Sequence, residues 1–381
     1  MTIIEGHPVV YWTVKRVLEN IPYAEVIIAA PGFDRGGGLE SLVNVFPAGN
    51  VSMFYGQDAS PLNRMLDACT DLRDEDYIIR VDGLHFCFDP SASLKILALA
   101  RSDHLDCVKL PDDFPVQFTS DVYRVGALRK LDKLLTGHAE AIFRVHPKFY
   151  MSMRKELFHC AYLQELPQYS DTHLLECRRR AEPIFIIPRM EVNEPRRIWS
   201  GDQLCFHYEL ALEHLQPGMK VLEIACGDGF GARILAQKVA EVHGADIDAE
   251  VIAEARRRTN APNVFFDVED VTNMTFRLAE FDAITSMETF EHVDPHSYLC
   301  EVYRVLKPGG LLVISTPQNR MGRIPVNSCH VCEYSLKELL ELCQQYFSIK
   351  TIIGIKAGRI IVPGDPYGTN TVLVCTKDGV Q

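Results

Sequence analysis

Gly227, Gly229 and Gly231 fall at alternate positions just after the apolar run Val221-Leu222-Glu223-Ile224, which carries an acid inside it. Glycines so spaced permit positive φ and let backbone approach a ligand where any Cβ would collide. Such a turn can cradle a nucleotide-like cofactor. Asp246 lies 23 residues beyond Glu223 and ends the run Glu241-Val242-His243-Gly244-Ala245-Asp246. This spacing suits one strand-helix-strand unit whose terminal carboxylate accepts hydrogen bonds from ribose hydroxyls. Farther on, Glu288, Glu291 and His292 follow another apolar run, and His330 lies in a later loop. Carboxylates and imidazoles can take or give a proton near neutrality. The alternative is that Glu291-His292 caps and braces the loop it opens. Cys329-His330-Val331-Cys332 crowds three metal-type donors into four residues with no second cluster. No metal is expected there.

The elements that must position these groups alternate. Gly201 to Leu215 is expected as a helix closed by Pro217-Gly218, followed by the Val221 strand and a helix from Ala232. Ala249–Thr259 is a helix, Asn263–Phe266 a strand, Phe281–Met287 a strand, Tyr298–Leu306 a helix and Leu311–Thr316 a strand. Ile349–Ile355 and Thr371–Thr376 close the sheet as antiparallel strands. The first half alternates too, with a helix from Pro8 to Asn20, strands at Ala24–Ala30, Val51–Tyr55 and Asp76–Asp82, and a helix at Leu62–Thr70. That order predicts a parallel α/β sheet. Leu128 to Leu175 is mainly helical, Ile184–Ile187 is a strand, and the domain boundary is placed near Asn193–Arg197, giving domains 1–194 and 195–381.

With 381 residues, two domains are the default. A formal charge of −12 argues against broad binding to nucleic acid or an anionic membrane surface. The triplets Arg178–Arg180 and Arg256–Arg258 read as solvated helix faces. Twelve cysteines scattered without a signal-peptide context suit free thiols in a reducing compartment, so a cytoplasmic location is expected. No apolar run approaches the roughly 20 residues that span a bilayer.

Two resemblances add to this. Gly6-His7-Pro8-Val9-Val10, Ile21–Ala29, Gly56-Gln57-Asp58 and Asp76–Arg80 through Phe88-Asp89-Pro90 look like the cytidylyltransferase family, which activates sugar acids with CTP. The similarity covers roughly the first 150 residues. It lacks the family's opening strand and nucleotide loop, and Leu84 stands where the resemblance would place a metal-holding aspartate, although Asp82 and Asp89 are near. The resemblance implies a nucleotidyltransferase-like parallel sheet without its first strand, with its own chemistry lost, serving for substrate docking or dimerisation.

Residues from about Gly201 to Phe347 closely resemble a class I S-adenosylmethionine-dependent methyltransferase. Glu288-Thr289-Phe290-Glu291-His292-Val293 and Arg304–Gly310 carry the likeness, together with Ser315-Thr316-Pro317, Asn327, His330 and Glu333-Tyr334-Ser335. The last group is similar to members that modify sugars and cell-surface glycans. The resemblance implies a Rossmann-like seven-stranded fold and S-adenosylmethionine as cofactor, held by Glu223, Ala225, Gly227, Gly229, Asp246, Ile247, Asp270, Val271 and Met287. Ala225 replaces the first glycine of the family's loop, a mild change. Glu223 would orient the loop or meet the methionine amino group, and Asp270 would accept from the adenine amine. The catalytic candidates are His292, His330, Glu288 and Glu291. The acceptor is expected to be a hydroxyl or amine of a sugar, nucleotide sugar or glycan, with a homodimer as a further expectation. Two rivals are a bifunctional cytidylyltransferase/methyltransferase and a non-catalytic cofactor-binding scaffold.

Overall fold

The computed structural model describes residues 2–47, 49–137, 140–185, 198–322 and 324–378, with only the backbone described at 185 and 198–202. The chain divides into two compact units, Met1–His173 and Leu174–Gln381. The expected boundary near Asn193–Arg197, between domains 1–194 and 195–381, lies outside the described residues, as does His138.

The first unit opens on a hairpin of β1 (Ile3–Ile4) and β2 (His7–Pro8), with positive φ at both turn residues, Glu5 and Gly6. That is the backbone signature of a tight two-residue hairpin loop. There follow α1 (Val9–Asn20), β3 (Val26–Pro31), α2 (Leu39–Val43), β4 (Val51–Gly56), α3 (Pro61–Ala68), β5 (Tyr77–Arg80), α4 (Pro90–Ser102), β6 (Cys107–Lys109) and β7 (Asp121–Arg124). The unit continues with α5 (Val125–Leu134), α6 (Ala141–Val145), α7 (Pro147–Met153) and β8 (Cys160–Tyr162). Strands β3 and β4 pair in parallel, while a separate mixed sheet runs β5-β7-β6-β8. The expected single parallel sheet is therefore corrected. No helix that crosses back over the sheet joins β6 to β7, so β7 returns antiparallel and lies between β5 and β6. The residues that could have replaced the missing metal aspartate serve the backbone instead. Asp89 caps α4 by accepting from Ser91 N–H at 2.8 Å, and Asp82 accepts from Leu84 N–H at 3.1 Å.

Helix α8 (Asp171–Phe185) carries the chain into the second unit. It includes Ile184 and Phe185, which corrects the first half of the strand expected at Ile184–Ile187, while 186 and 187 lie outside the described residues. Arg178 does not belong to a merely solvated face, because its guanidinium donates to the carbonyls of Ser328 at 3.1 Å and His330 at 2.8 Å.

The second unit then runs α9 (Ile198–His214), β9 (Lys220–Ile224), α10 (Phe230–Leu235), β10 (Glu241–Asp246), α11 (Ala249–Arg258), β11 (Val264–Val268) and β12 (Phe281–Met287). It ends with α12 (Pro295–Val305), β13 (Leu306–Pro317), α13 (Leu336–Cys343), β14 (Ser348–Lys356), β15 (Ile360–Ile361) and β16 (Asn370–Thr376). The sheet order is β11-β10-β9-β12-β13-β16-β14-β15. The first five strands are parallel, and β16 and β14 follow antiparallel. The expected seven strands are present, and a two-residue β15 adds an eighth at the edge.

Both faces of this sheet are dry. Leu222 and Ile224 point into a cluster with Tyr298, Leu299 and Leu339, whereas Val221 packs on the other face with Tyr208, Ala211 and Ala232. Alternation along β9 therefore sends Glu223 to the α9 side. Strand order reverses between β9 and β12, so the crevice at their carboxyl ends is where this architecture offers a ligand site. Among the described residues, no helix is long and apolar enough to cross a membrane.

Candidate active site

The loop after β9 is built from left-handed backbone. Ala225 and Gly227 have φ of 54° and Gly229 has φ of 76°. An L-residue in that region costs about 1–2 kcal/mol, so alanine at 225 is a strained substitution rather than a mild one. Gly227 faces open space, with nothing within 4 Å of an added Cβ. Gly229 is confined by the protein itself, since a Cβ there would lie 2.5 Å from the Phe266 ring. Gly231 lets α10 rest directly on Glu223 and Tyr208.

Glu223 is fully buried. Its Oε1 accepts from Tyr208 Oη at 2.5 Å, and its Oε2 has no hydrogen-bond partner. Burial pushes its carboxyl up to about 8, against the lowering effect of the Tyr208 hydrogen bond. The folded state therefore holds a proton that the unfolded chain releases near the ordinary glutamate value. This destabilises the fold progressively as pH rises from about 5 to about 8. Glu223→Gln keeps an acceptor for Tyr208 and removes the ionisation. We expect its unfolding free energy, measured by urea titration, to gain on the wild type across that interval by on the order of 2–4 kcal/mol. Parallel pH profiles of the two proteins would refute the assignment.

Asp246, at the end of β10, is 9% exposed. Its Oδ2 accepts from Gly227 N–H at 3.1 Å and its Oδ1 from Asp248 N–H at 3.0 Å, which leaves lone pairs on both oxygens. Ile247 beside it is exposed, while Val271 and Met287 are buried. Asp270 is exposed and its Oδ1 takes both the N–H and the hydroxyl of Thr272, at 2.8 and 2.6 Å. Those bonds hold its carboxyl below the usual range, the hydroxyl contributing most. Arg258 ties α11 to the glycine loop through Asp228 at 2.9 Å, and Arg256 donates to the carbonyl of Phe266. Two members of that triplet are therefore bonded into the fold rather than solvated.

Past β12 the four catalytic candidates come together in two neighbouring clusters. Glu288 has φ of 52°, and its Oε1 accepts from Ser315 Oγ at 2.9 Å while its Oε2 accepts from Asn370 Nδ2 at 2.7 Å. His207, on α9, places Nδ1 3.0 Å from Ser315 Oγ and 3.6 Å from Glu288 Oε1. Burial holds its imidazole below the ordinary value, so it is neutral. The reading of the sequence missed His207 and Asn370. Neither lies in a motif, and only the fold brings α9 and β16 beside β12.

Glu291 is 1% exposed, with Oε2 accepting from Thr316 Oγ1 at 2.9 Å and Oε1 unpartnered. Burial, then the negative field of Glu288, drives its carboxyl well above the ordinary range. That shift favours the neutral acid and makes Glu291 a poorer candidate for proton acceptor than Glu288. His292 Nδ1 lies 3.0 Å from the Cys329 carbonyl, and burial, then His330, lowers its basicity. The His330 ring stands edge-on to it at 4.9 Å, with Nδ1 2.5 Å from Glu333 Oε1 and Nε2 2.8 Å from Asn327 Nδ2. The brace reading of Glu291-His292 also has substance, since the Glu291 carbonyl accepts from Val331 N–H at 2.9 Å.

A doubly wound sheet with a glycine turn after its first strand and an acid at the end of its second is the architecture of a domain that binds a nucleotide-like cofactor. Residues 222–314 match the family model described as a methyltransferase domain. The chain is 33% identical over 154 residues to a probable S-adenosylmethionine-dependent methyltransferase of Mycolicibacterium smegmatis, covering 39% of this chain and 59% of that one. It is 28% identical over 180 residues to a phthiotriol/phenolphthiotriol dimycocerosates methyltransferase of Mycobacterium leprae, covering 46% and 63%. It is 33% identical over 134 residues to a ubiquinone biosynthesis O-methyltransferase of Cereibacter sphaeroides, covering 34% and 54%. The chain thus spans less than two thirds of the length of each of these relatives.

The residues present fit the cofactor. The open face at Gly227 and the free lone pairs of Asp246 are suited to backbone approach by the cofactor and to its ribose hydroxyls.

Proposed function

We propose that the protein methylates a hydroxyl group of a small-molecule acceptor, using S-adenosylmethionine. The observation that carries this is the Glu288 carboxylate. It is held by Ser315 and Asn370 at the carboxyl end of β12, at the same sheet edge as the glycine loop. The cofactor supplies a methyl group on an electron-poor sulfonium. Asp246 and Gly227 hold and orient it, and Glu288 takes the hydroxyl proton as the oxygen attacks. An amine acceptor would not need this carboxylate.

The narrower acceptor is a sugar, nucleotide sugar or glycan, supported by the sequence resemblance and by the cytidylyltransferase-like pattern of the first unit. On this reading the first unit docks the acceptor and has lost nucleotidyl transfer, because Leu84 offers no oxygen ligand and Asp82 and Asp89 are engaged by backbone. The relatives named as a phthiotriol/phenolphthiotriol dimycocerosates methyltransferase and a ubiquinone biosynthesis O-methyltransferase favour including phenols and quinols among the acceptors tried.

Calorimetry with S-adenosylmethionine tests the cofactor part. Asp246→Asn should weaken binding by about 10- to 100-fold, as one charge-assisted hydrogen bond of roughly 1.5–3 kcal/mol is lost. Unchanged affinity, or no binding by the wild type, would overturn it. Methyl transfer from labelled cofactor to nucleotide sugars, glycans, phenols and amines tests the acceptor class. Transfer to amines alone removes Glu288 from its role.

A further inference from the structure

We propose that Glu291, His292 and His330 form a binding site for one divalent transition-metal ion of the zinc class. One donor atom from each of the three lies within 4.8 Å of the other two. Zinc bonds of about 2.0–2.2 Å put tetrahedral donors roughly 3.5 Å apart. The set therefore closes on an ion with a movement of about an ångström, which ring rotation supplies.

A second, independent observation is the orphaned Glu291 Oε1. It has no hydrogen-bond partner, belongs to a side chain that is 1% exposed, and lies 3.9 Å from His292 Nε2. A buried carboxyl oxygen left unpaired costs on the order of 1–3 kcal/mol, and a cation between it and the imidazole is the partner it lacks.

The surrounding bonds orient both rings as metal ligands are oriented. His292 Nδ1–H points at the Cys329 carbonyl, which leaves the Nε2 lone pair toward Glu291. His330 Nδ1 is held by Glu333, itself fixed by Asn319 Nδ2 at 2.9 Å, so Nε2 carries the lone pair there as well. Asn327 Nδ2 donates to that lone pair and must turn aside for an ion to bind. Two imidazoles and one carboxylate suit zinc and its first-row neighbours, whereas calcium and magnesium demand mainly oxygen ligands. Three protein donors leave an open position. Ion binding does not depend on the hydroxyl-methylation reading.

The expectation of no metal considered the Cys329–Cys332 run by itself. His330 does take part, and its partners come from the loop after β12 rather than from the cysteines.

The test uses the full chain, stripped with chelator, dialysed and titrated with Zn²⁺ against a competing chromophoric chelator. Retained zinc is measured by mass spectrometry, and Co²⁺ is loaded separately for its visible absorption. One equivalent of zinc and a low-coordinate Co²⁺ spectrum are expected. His292→Ala and His330→Gln should each weaken zinc binding at least about 100-fold while S-adenosylmethionine affinity, which also reports folding, stays at the wild-type value. Cys329→Ser/Cys332→Ser should bind zinc as the wild type does. Substoichiometric zinc, undiminished binding in His330→Gln, or loss of binding in the cysteine variant each overturns the site. If His292→Ala fails to fold, His330→Gln decides alone. Zinc binding without methyl transfer would leave the site standing and sink only the functional reading.

Discussion

Gly231→Ala is expected to destabilise the C-terminal unit by about 3 kcal/mol or more, although alanine is ordinarily the better helix residue by about 1 kcal/mol. An added Cβ would sit 2.0 Å from Glu223 Oε1, 2.1 Å from Tyr208 Cζ and 2.2 Å from Tyr208 Oη. Neither neighbour can give way. Glu223 is fully buried in the central strand, Tyr208 is 4% exposed in the layer above it, and the two are joined by a 2.5 Å hydrogen bond. Relief would have to come from sliding α10 off the sheet, which also displaces the glycine loop. The matched control is Gly227→Ala, whose Cβ meets nothing but whose φ of 54° costs about 1 kcal/mol. Urea unfolding should rank the two far apart, and cofactor titration should show both impaired. A Gly231→Ala protein within 1 kcal/mol of the wild type would mean that α10 does not lie on Glu223 as described.

Gly231 also shows why the second unit was so legible in the sequence. Apolar strands such as β9, β10 and β12, ended by a glycine turn or followed by an acid and mostly separated by helices, leave little choice of topology. Asp248 caps α11, and Ser335 with Glu338 forms a capping box on α13. The short strands of the first unit carry no such signal. The three-residue β6 and β8 are too brief for periodicity to register, and the parallel expectation failed where β7 returned without a helix. The site was legible where its residues sit in recognisable motifs. Glu288, Glu291, His292 and His330 could be named because they sit in such motifs, whereas His207 and Asn370 reach Glu288 and Ser315 from α9 and β16. The Arg178 and Arg258 side chains looked idle because their acceptors, the His330 carbonyl and Asp228, are remote in sequence. Backbone strain was invisible as well, since nothing in the residue types marks Ala225 or Glu288 as left-handed.

Glu288→Gln should lower kcat for a hydroxyl acceptor by about 10²- to 10³-fold, the range removed with a positioned general base. It should leave cofactor affinity within about twofold and stability within about 1 kcal/mol. The amide fits the site in one orientation. Its oxygen accepts from Asn370 Nδ2 in place of Oε2, and its NH₂ donates to Ser315 Oγ, whose hydroxyl then turns toward His207 Nδ1 with the imidazole in its other tautomer. The bonds linking residue 288 to Asn370 and Ser315, and Ser315 to His207 Nδ1, are kept, and the proton-accepting capacity is lost. The left-handed φ of Glu288 supports this choice of base. A non-glycine residue there costs of order 1–3 kcal/mol, and such strain persists where the surrounding structure imposes a particular side-chain direction. Glu288→Gly should relieve the backbone and still abolish turnover, a gain in stability coupled to a loss of rate that a merely structural residue would not show. A competing assignment makes His292 or His330 the base, and then Glu288→Gln keeps nearly full kcat while the histidine variants lose it. If instead those histidines hold a metal ion, activity in their variants tracks zinc content, whereas in Glu288→Gln it falls with zinc fully retained.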